Sequence, residues 1–440
     1  MQALKELILD SQTNPLFTGV TRQLEITSLS KKASIIIGVR RCGKSTLLNQ
    51  IASRLKTKGI SSEKFLYINF FDERLSKLKT EGLNKVIEAY YLLYPEKKNN
   101  EKIYCFFDEI QIIPDWEKFV DRMLRTENCE IYITGSSAKM LSKEIATQMR
   151  GRSLSWELFP FSFREFLEVR KINNKLPFNT KNRIMVQKSF DEYFEKGGFP
   201  EVTDLEKSLR VKIHQEYFNS ILFRDLIERH NISHPLAVMD LSRRLIDNIT
   251  SLYTLNNLTN YLKSLGHKVP KNSVAEYLDW FEDAYFLFSV RVFNASLSKS
   301  NANPKKIYCI DQSLVKSVSS GILINSGHLL ENLVFIALRR LNVGIYYYKT
   351  KGKYEVDFLV QTQKHKKFLL QVSESLVNPS TKQREIRALK IAMTELNLFS
   401  GMIITLNEQE QIDVGIGVIE IIPIWKFLLE DVNRIGNEDT

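Results

Sequence analysis

The chain has 440 residues, more than one ordinary hydrophobic core organises, which predicts two to four domains. It is 43% hydrophobic and 26% charged, with 18 Gly and 11 Pro, a globular composition that excludes extensive disorder away from the ends. No run of 18 apolar residues marks a membrane span, and a net charge of +11 permits an acidic partner without requiring one.

The N-terminal stretch MQALKELILDSQ carries acidic residues within its apolar pattern and no small-residue cleavage site, so a signal peptide is not expected. Cys42, Cys105, Cys129 and Cys309 are scattered singly, which predicts reduced, mostly buried thiols in a cytoplasmic protein. His230 and His234 are four apart, but no companion Glu or Cys accompanies them and Pro235 follows, so packing or surface roles are expected rather than a metal site.

The first informative stretch is ASIIIGVRRCGKSTLLNQI at 33–51. A β-branched run ends at Gly38, and Gly43, Lys44 and Ser45 complete the spacing G-x-x-x-x-G-K-S of a phosphate-binding loop. The two glycines let the segment Gly38, Val39, Arg40, Arg41, Cys42, Gly43 curl so that its backbone N–H groups face phosphate oxygens. Lys44 supplies a point charge at the terminal phosphates, the Ser45 hydroxyl suits Mg²⁺, and Thr46 begins a helix whose N-terminal dipole favours the anion. Leu47, Leu48, Ile51 and Leu55 mark one face of that helix, and Lys56, Lys58 and Gly59 mark its end.

A second strand, IYCFFDE at 103–109, ends in two acids. Asp108 is expected to hold the metal shell, and Glu109 to polarise the attacking water, which points to hydrolysis rather than mere binding. A third, CEIYITGSS at 129–137, carries Thr134 and Ser136, candidates for sensing the terminal phosphate or simple turn residues. After a helical stretch come Arg150 and Arg152, ahead of the strand SLSWELF. Either could stabilise transition-state charge in cis or from a neighbouring copy, or be a solvated loop charge. Strands near 34–37, 65–70, 103–107, 130–134 and 153–158, with helical patterns between, predict a doubly wound α/β domain with its crevice at the strands' C-terminal ends.

Several stretches together resemble a known family: GVRRCGKSTLL, FFDEIQIIPDWEKFV, TGSSAKML, MRGRSLSWELFPFSFREFL, GGFPEV, IYCIDQSL, LLENLVFIALRR and YEVDFLV. The chain resembles the bacterial and archaeal AAA-type ATP-binding proteins whose C-terminal domain, of uncharacterised function, is similar to the PD-(D/E)XK restriction-endonuclease fold. The resemblance runs from about residue 20 to 400. It implies an AAA-type P-loop ATPase domain over 1–165, a helical segment over 166–235, a winged-helix-like domain over 236–300 and a nuclease-like α/β domain over 301–440. It also implies ATP as the nucleotide.

In the middle, apolar spacing, the Gly266 turn and an Asn272/Ser273 cap suggest a helix-turn-helix followed by a strand. The helix expected to read DNA, 273–283, carries Glu276, Asp279, Glu282 and Asp283 and no basic residue, so phosphates would repel that face. A packing role between domains is the alternative. Further on, 329–340 reads as an amphipathic helix bearing Glu331, and 354–375 as a hairpin with Asp357 on one strand and Gln371 on the next. In the resembled fold these positions converge to bind Mg²⁺ beside a lysine, but the lysine position here is Ser373. A degenerate, non-cleaving site is therefore expected. Lys349, Lys351, Lys353, Lys364, Lys366 and Lys367 flank the hairpin and could contact phosphate backbone or simply be solvated. The sequence reading is thus an Mg²⁺-dependent ATPase coupled to a nuclease-like module. A nucleotide-gated scaffold for DNA or a protein partner is the rival, a metal-dependent nuclease is a third and less favoured alternative, and self-association is left open.

Overall fold

The computed structural model describes residues 1–136, 147–174, 178–294, 296, 303–322 and 325–436. The chain forms two compact units, residues 1–159 with 283–285, and residues 160–282 with 286–440.

The first unit is built on five parallel strands: β1 (Ala33–Ile37), β2 (Phe65–Asn69), β3 (Ile103–Asp108), β4 (Cys129–Gly135) and β5 (Ser153–Glu157). Each lies within one residue of the range its apolar run predicts at either end. All five residues of β1 are buried, as in parallel sheets covered by helices on both faces. The order β2-β3-β4-β1-β5 places β4 between the strand that leads into the phosphate loop and the strand that ends in acids. That neighbourhood is what puts a polar group of β4 next to both.

The second unit carries a nine-stranded mixed sheet in the order β13-β14-β12-β11-β10-β9-β7-β8-β6. Its strands are β6 (Leu252–Tyr253), β7 (Leu287–Val292), β8 (Lys305–Cys309), β9 (Gly344–Lys349), β10 (Glu355–Gln361), β11 (Lys367–Val372), β12 (Ser400–Thr405), β13 (Glu410–Asp413) and β14 (Val418–Pro423). The expected division at 300/301 lies outside the described residues, but the strands around it do not divide. β7 pairs antiparallel with β8 and parallel with β9, so one sheet runs through the segments assigned to separate domains. A mostly buried strand such as β7 needs backbone partners on both edges, and both neighbours supply them. The helices of 166–235 belong to this same unit, whose boundary falls at 159/160.

The helix Ser326–Arg339 also differs from expectation. Every residue from Leu329 to Leu338 is buried, so it is an enclosed helix rather than an amphipathic surface one, and Glu331 enters the interior with it. The hairpin reading is correct: β10 and β11 pair antiparallel from Phe358 opposite Leu370 to Gln361 opposite Lys367.

Two quoted motifs meet inside this unit. Asp311 of IYCIDQSL is 3% exposed and caps the helix Gln312–Val318, accepting from the backbone N–H groups of Ser313 (2.8 Å) and Leu314 (3.0 Å). Its other oxygen accepts from the N–H of Gly198, in GGFPEV, at 2.8 Å. Nearby, His214 is fully buried, with Nδ1 3.0 Å from the Ser317 hydroxyl. Burial, reinforced by the Arg210 charge, pushes its pKa down from 6.5 to about 4. The unfolded chain therefore binds a proton that the native state refuses, and stability falls as the pH drops from about 6.5 towards 4. Replacing His214 by Gln should remove that acid-side loss, on the order of 3 kcal/mol, in urea unfolding curves compared at pH 7 and pH 4.

Candidate functional site

The phosphate loop leaves β1 at Ile37. A Cβ at Gly38 would lie 2.0 Å from the carbonyl oxygen of Leu158, so only glycine fits where the loop presses on the neighbouring backbone. Gly43, at φ 101°, caps the helix Lys44–Thr57. The Val39 and Cys42 side chains are fully buried. Burial raises the Cys42 thiol above its usual range despite the nearby Lys44 and Arg22 charges. Arg41 is exposed at φ 68°, and the Arg40 guanidinium lies 5.9 Å from the centre of the Phe71 ring. Lys44, only 5% exposed, donates to the carbonyls of Gly38 (3.1 Å) and Val39 (3.2 Å), which holds its ammonium over the loop. Thr46 is half-buried in the first turn of the helix that follows.

Asp108 ends β3 and is 1% exposed. Burial pushes its carboxyl upward, while the Thr134 hydroxyl bonded to it, the nearby Ser45 hydroxyl and the Lys44 charge pull it back. Tyr67 of β2 brings its hydroxyl near the same carboxylate, and its own pKa rises through burial and the Asp108 charge. Thr134 joins the two acids: it donates to Asp108 and accepts from the backbone N–H of Glu109 at 3.0 Å. Ser136, just beyond β4, is 2% exposed. Glu109 sits in the left-handed region at φ 57°, a conformation that costs a non-glycine residue about 1 kcal/mol and clusters at functional sites. Its carboxylate is held by the Gln111 side-chain amide at 2.5 Å and lies 3.7 Å from the Lys44 ammonium.

Three supporting residues gave no signal in the sequence. Tyr67 and Gln111 read as ordinary strand and turn residues. Arg22 sits in an irregular segment, yet its 5%-exposed side chain donates to the carbonyls of Cys42 (2.7 Å) and Phe159 (2.6 Å), anchoring the loop. The two candidate arginines separate. Arg152 is tied to the buried Asp121 at 2.6 Å, whereas Arg150 is exposed at φ 50°. The segment 137–146 between Ser136 and these arginines, including part of TGSSAKML and of the expected helix, lies outside the described residues.

In the second unit Glu331, Asp357 and Gln371 do come together. The Asp357 backbone N–H donates to the Gln371 side-chain oxygen at 3.2 Å, and the Gln371 amide donates to Glu385 at 2.8 Å. The cluster contains a member the sequence reading missed: Lys306 of β8, whose Nζ is 2.8 Å from Asp357 and 3.0 Å from Glu331. Ser373 turns to its own loop and donates to the Ser375 carbonyl. The flanking lysines do not form one patch. Lys349, Lys351 and Lys353 precede β10, whereas Lys364, Lys366 and Lys367 follow its far end, roughly 20 Å away along the strand. Two of them lie over rings: Lys366 is 5.2 Å from the centre of Phe368 and Lys367 is 4.9 Å from that of Phe293. On the acidic helix, Asp279 and Glu282 share a face with Ala275 and Leu278, and that face lines a cleft with Arg291 and Lys305.

Residues 30–167 match the family model of an AAA domain. Residues 187–322 and 326–427 match two domains of unknown function, DUF8612 and DUF4143. Across the whole chain, 421 residues align at 37% identity with the uncharacterized protein MJ1544 of Methanocaldococcus jannaschii, covering 93% of this chain and 91% of that one. The chain belongs to that protein's family. An uncharacterized protein of Haemophilus influenzae is 31% identical over 332 residues, 74% of this chain and 79% of its own. Among solved structures, the Aeropyrum pernix ORC1 protein in complex with DNA aligns over 73% of this chain and 91% of its own, at 13% identity and a TM-score of 0.31. C. elegans PCH-2 aligns over 47% and 60%, at 15% identity and a TM-score of 0.30. By the match over residues 30–167, the N-terminal unit of this family member is an AAA-type P-loop domain, a nucleotide-binding fold. Among the described residues no helix is long and apolar enough to cross a membrane.

Because Arg22 anchors the loop through two carbonyls, Arg22→Ala should lower unfolding stability by about 2–3 kcal/mol in urea titrations. Arg22→Lys, which cannot reach both carbonyls in the same fork, should recover only part of it.

Proposed function

We propose that the chain is an Mg²⁺-dependent ATPase whose nucleotide state is passed to the second unit. The observation that carries this reading is the join at Asp108 and Glu109. A buried carboxylate is bonded by the Thr134 hydroxyl with the Ser45 hydroxyl close by, and the next residue, in a left-handed conformation, stands beside Lys44.

The residues fit MgATP. The loop from Gly38 to Ser45 offers backbone N–H groups at a helix N-terminus, and Ser45 and Asp108 are the oxygens that would hold the metal. The bound Mg²⁺ would neutralise charge on the phosphate oxygens. Lys44 would bring its ammonium to the terminal phosphates, releasing the loop carbonyls it now caps. Glu109 would accept hydrogen bonding from the attacking water and orient it, with Gln111 and the Thr134 hydroxyl fixing its position. Thr134, bonded to both acids, is suited to report whether the terminal phosphate is present. Arg150 is the better placed of the two arginines to meet developing charge, in cis or from a second copy, since Arg152 is engaged by Asp121. ATP rather than another nucleotide is the choice the AAA family supports.

The element order of the middle is helix (Pro235–Ile246), β6, two helices (Leu255–Ser264 and Lys271–Asp283) and the β7/β8 pair, which supports a winged-helix reading. The acids Asp279 and Glu282 line a cleft of their own unit, which favours a packing use of that helix over groove reading. Nuclease chemistry in the C-terminal part has no comparable support.

Phosphate release from the purified chain with MgATP tests the proposal. Lys44→Ala should abolish turnover by weakening nucleotide binding. Glu109→Gln should keep binding and lose about 10²–10⁴-fold in kcat, the usual worth of a positioned base. Unchanged turnover in both variants would overturn the assignment. Repeating the assay with single- and double-stranded DNA reads out whether nucleic acid is coupled to turnover.

A further inference from the structure

Lys306 occupies an unusual position. It stands on β8 with 3% of its surface exposed, far below what a lysine on a sheet normally keeps in water. Its ammonium is 2.8 Å from Asp357 Oδ1, 3.0 Å from Glu331 Oε1 and 3.0 Å from Glu355 Oε1. The ammonium donates hydrogen bonds to Asp357 and Glu331, and the Glu355 carboxylate adds a third ion pair.

The acceptors are bound in turn. Glu331 Oε1 also accepts from the Tyr308 hydroxyl at 2.7 Å, and Asp357 Oδ2 accepts from the Val372 N–H at 3.0 Å. Gln371 is spent between the Asp357 N–H and Glu385. Burial works against the charge on Lys306, but Asp357 and Glu331 outweigh it and hold the ammonium firmly protonated. Burial and the Asp357 charge raise Glu331, and Lys306 and Tyr308 partly restore it.

In the fold that the C-terminal sequence resembles, a helix Glu and a strand Asp hold a divalent cation. Mg²⁺ needs near-octahedral oxygens at about 2.0–2.1 Å and keeps several waters. Here the point between the Glu331 and Asp357 oxygens is filled by Nζ, so the residues as arranged do not fit that metal. Among the described residues, no group of three or more His, Cys, Asp and Glu side chains is placed to hold one.

We infer that Lys306 is the resident cation of this centre: its ammonium stands where the resembled fold takes a divalent ion. The centre is a metal-free tie between β8, β10 and the helix Ser326–Arg339. It becomes a divalent-cation site only when the ammonium is removed. Lys306 also differs in place from the lysine missing at Ser373: it stands on β8, and its ammonium donates to Asp357 and Glu331. The inference does not depend on the nucleotide reading of the first unit.

Mn²⁺ binding to the full-length chain, followed by the EPR signal of the free ion in the absence of nucleotide, tests this. Wild type and Asp357→Asn should bind the same amount, whatever the first unit contributes. Lys306→Ala should gain one further ion per chain, and Lys306→Ala/Asp357→Asn should lose it again. Lys306→Met, whose apolar stem refills the space, should gain none. Mn²⁺ should raise the melting temperature of Lys306→Ala above any shift seen in wild type, since a ligand held only by the native state stabilises it.

A wild-type Mn²⁺ site that disappears in Asp357→Asn would overturn the inference, because the metal would then share or displace the ammonium. So would Mn²⁺-dependent plasmid nicking by wild type that Asp357→Asn abolishes. A folded Lys306→Ala chain that gains no ion would overturn it as well. Should Lys306→Ala not fold, the wild-type and Asp357→Asn comparison still decides, since equal binding supports the inference and a deficit refutes it.

Discussion

A carboxylate buried at the end of a parallel strand has to be met by polar partners, and Asp108 is bonded by one hydroxyl with two more close by. The Tyr67 hydroxyl comes from β2, the Thr134 hydroxyl from β4 and the Ser45 hydroxyl from the helix that follows the phosphate loop. No two of these hydroxyls are close in sequence, so the strand order of the first unit is what brings them together. The same bonds position the neighbours of Asp108: Thr134 turns Glu109 through its backbone, and Gln111 completes the hold. The candidate chemistry of this unit follows from solving one burial problem.

The second unit applies the same rule twice. Asp311 is stabilised by three backbone N–H groups, one of them from Gly198 in a loop over a hundred residues away in the chain. Lys306 is stabilised by three carboxylates drawn from the enclosed helix and from β10. Breaking either arrangement leaves a buried charge without its partners, the costly way to remove an ionic contact.

What could be read from sequence was whatever depends on neighbours along the chain. The five strands of the first unit, the loop glycines, Lys44, Ser45, Asp108 and Glu109 all declare themselves through local patterns. The position of Thr134 was legible too, because doubly wound topology implies a strand between β1 and β3. The helix Ser326–Arg339 misled because apolar periodicity cannot distinguish a helix with one buried face from one that is enclosed, and Glu331 and Asn332 are buried with it. The sheet shared by β7, β8 and β9 was not legible, because which strands pair is set by contacts far along the chain.

The sequence by itself determined the phosphate loop and its acids, since a curled backbone, a point charge and a metal oxygen each demand a particular residue type at a particular spacing. Only the tertiary structure decided which residues support them and what the C-terminal acids do. Arg22, Tyr67 and Lys306 act through contacts with residues far along the chain, and nothing in their own surroundings marks a lysine in KKIYCID as the cation between Glu331 and Asp357. Local chemistry is written in residue types, whereas charge compensation in a core is settled by which strands and helices become neighbours.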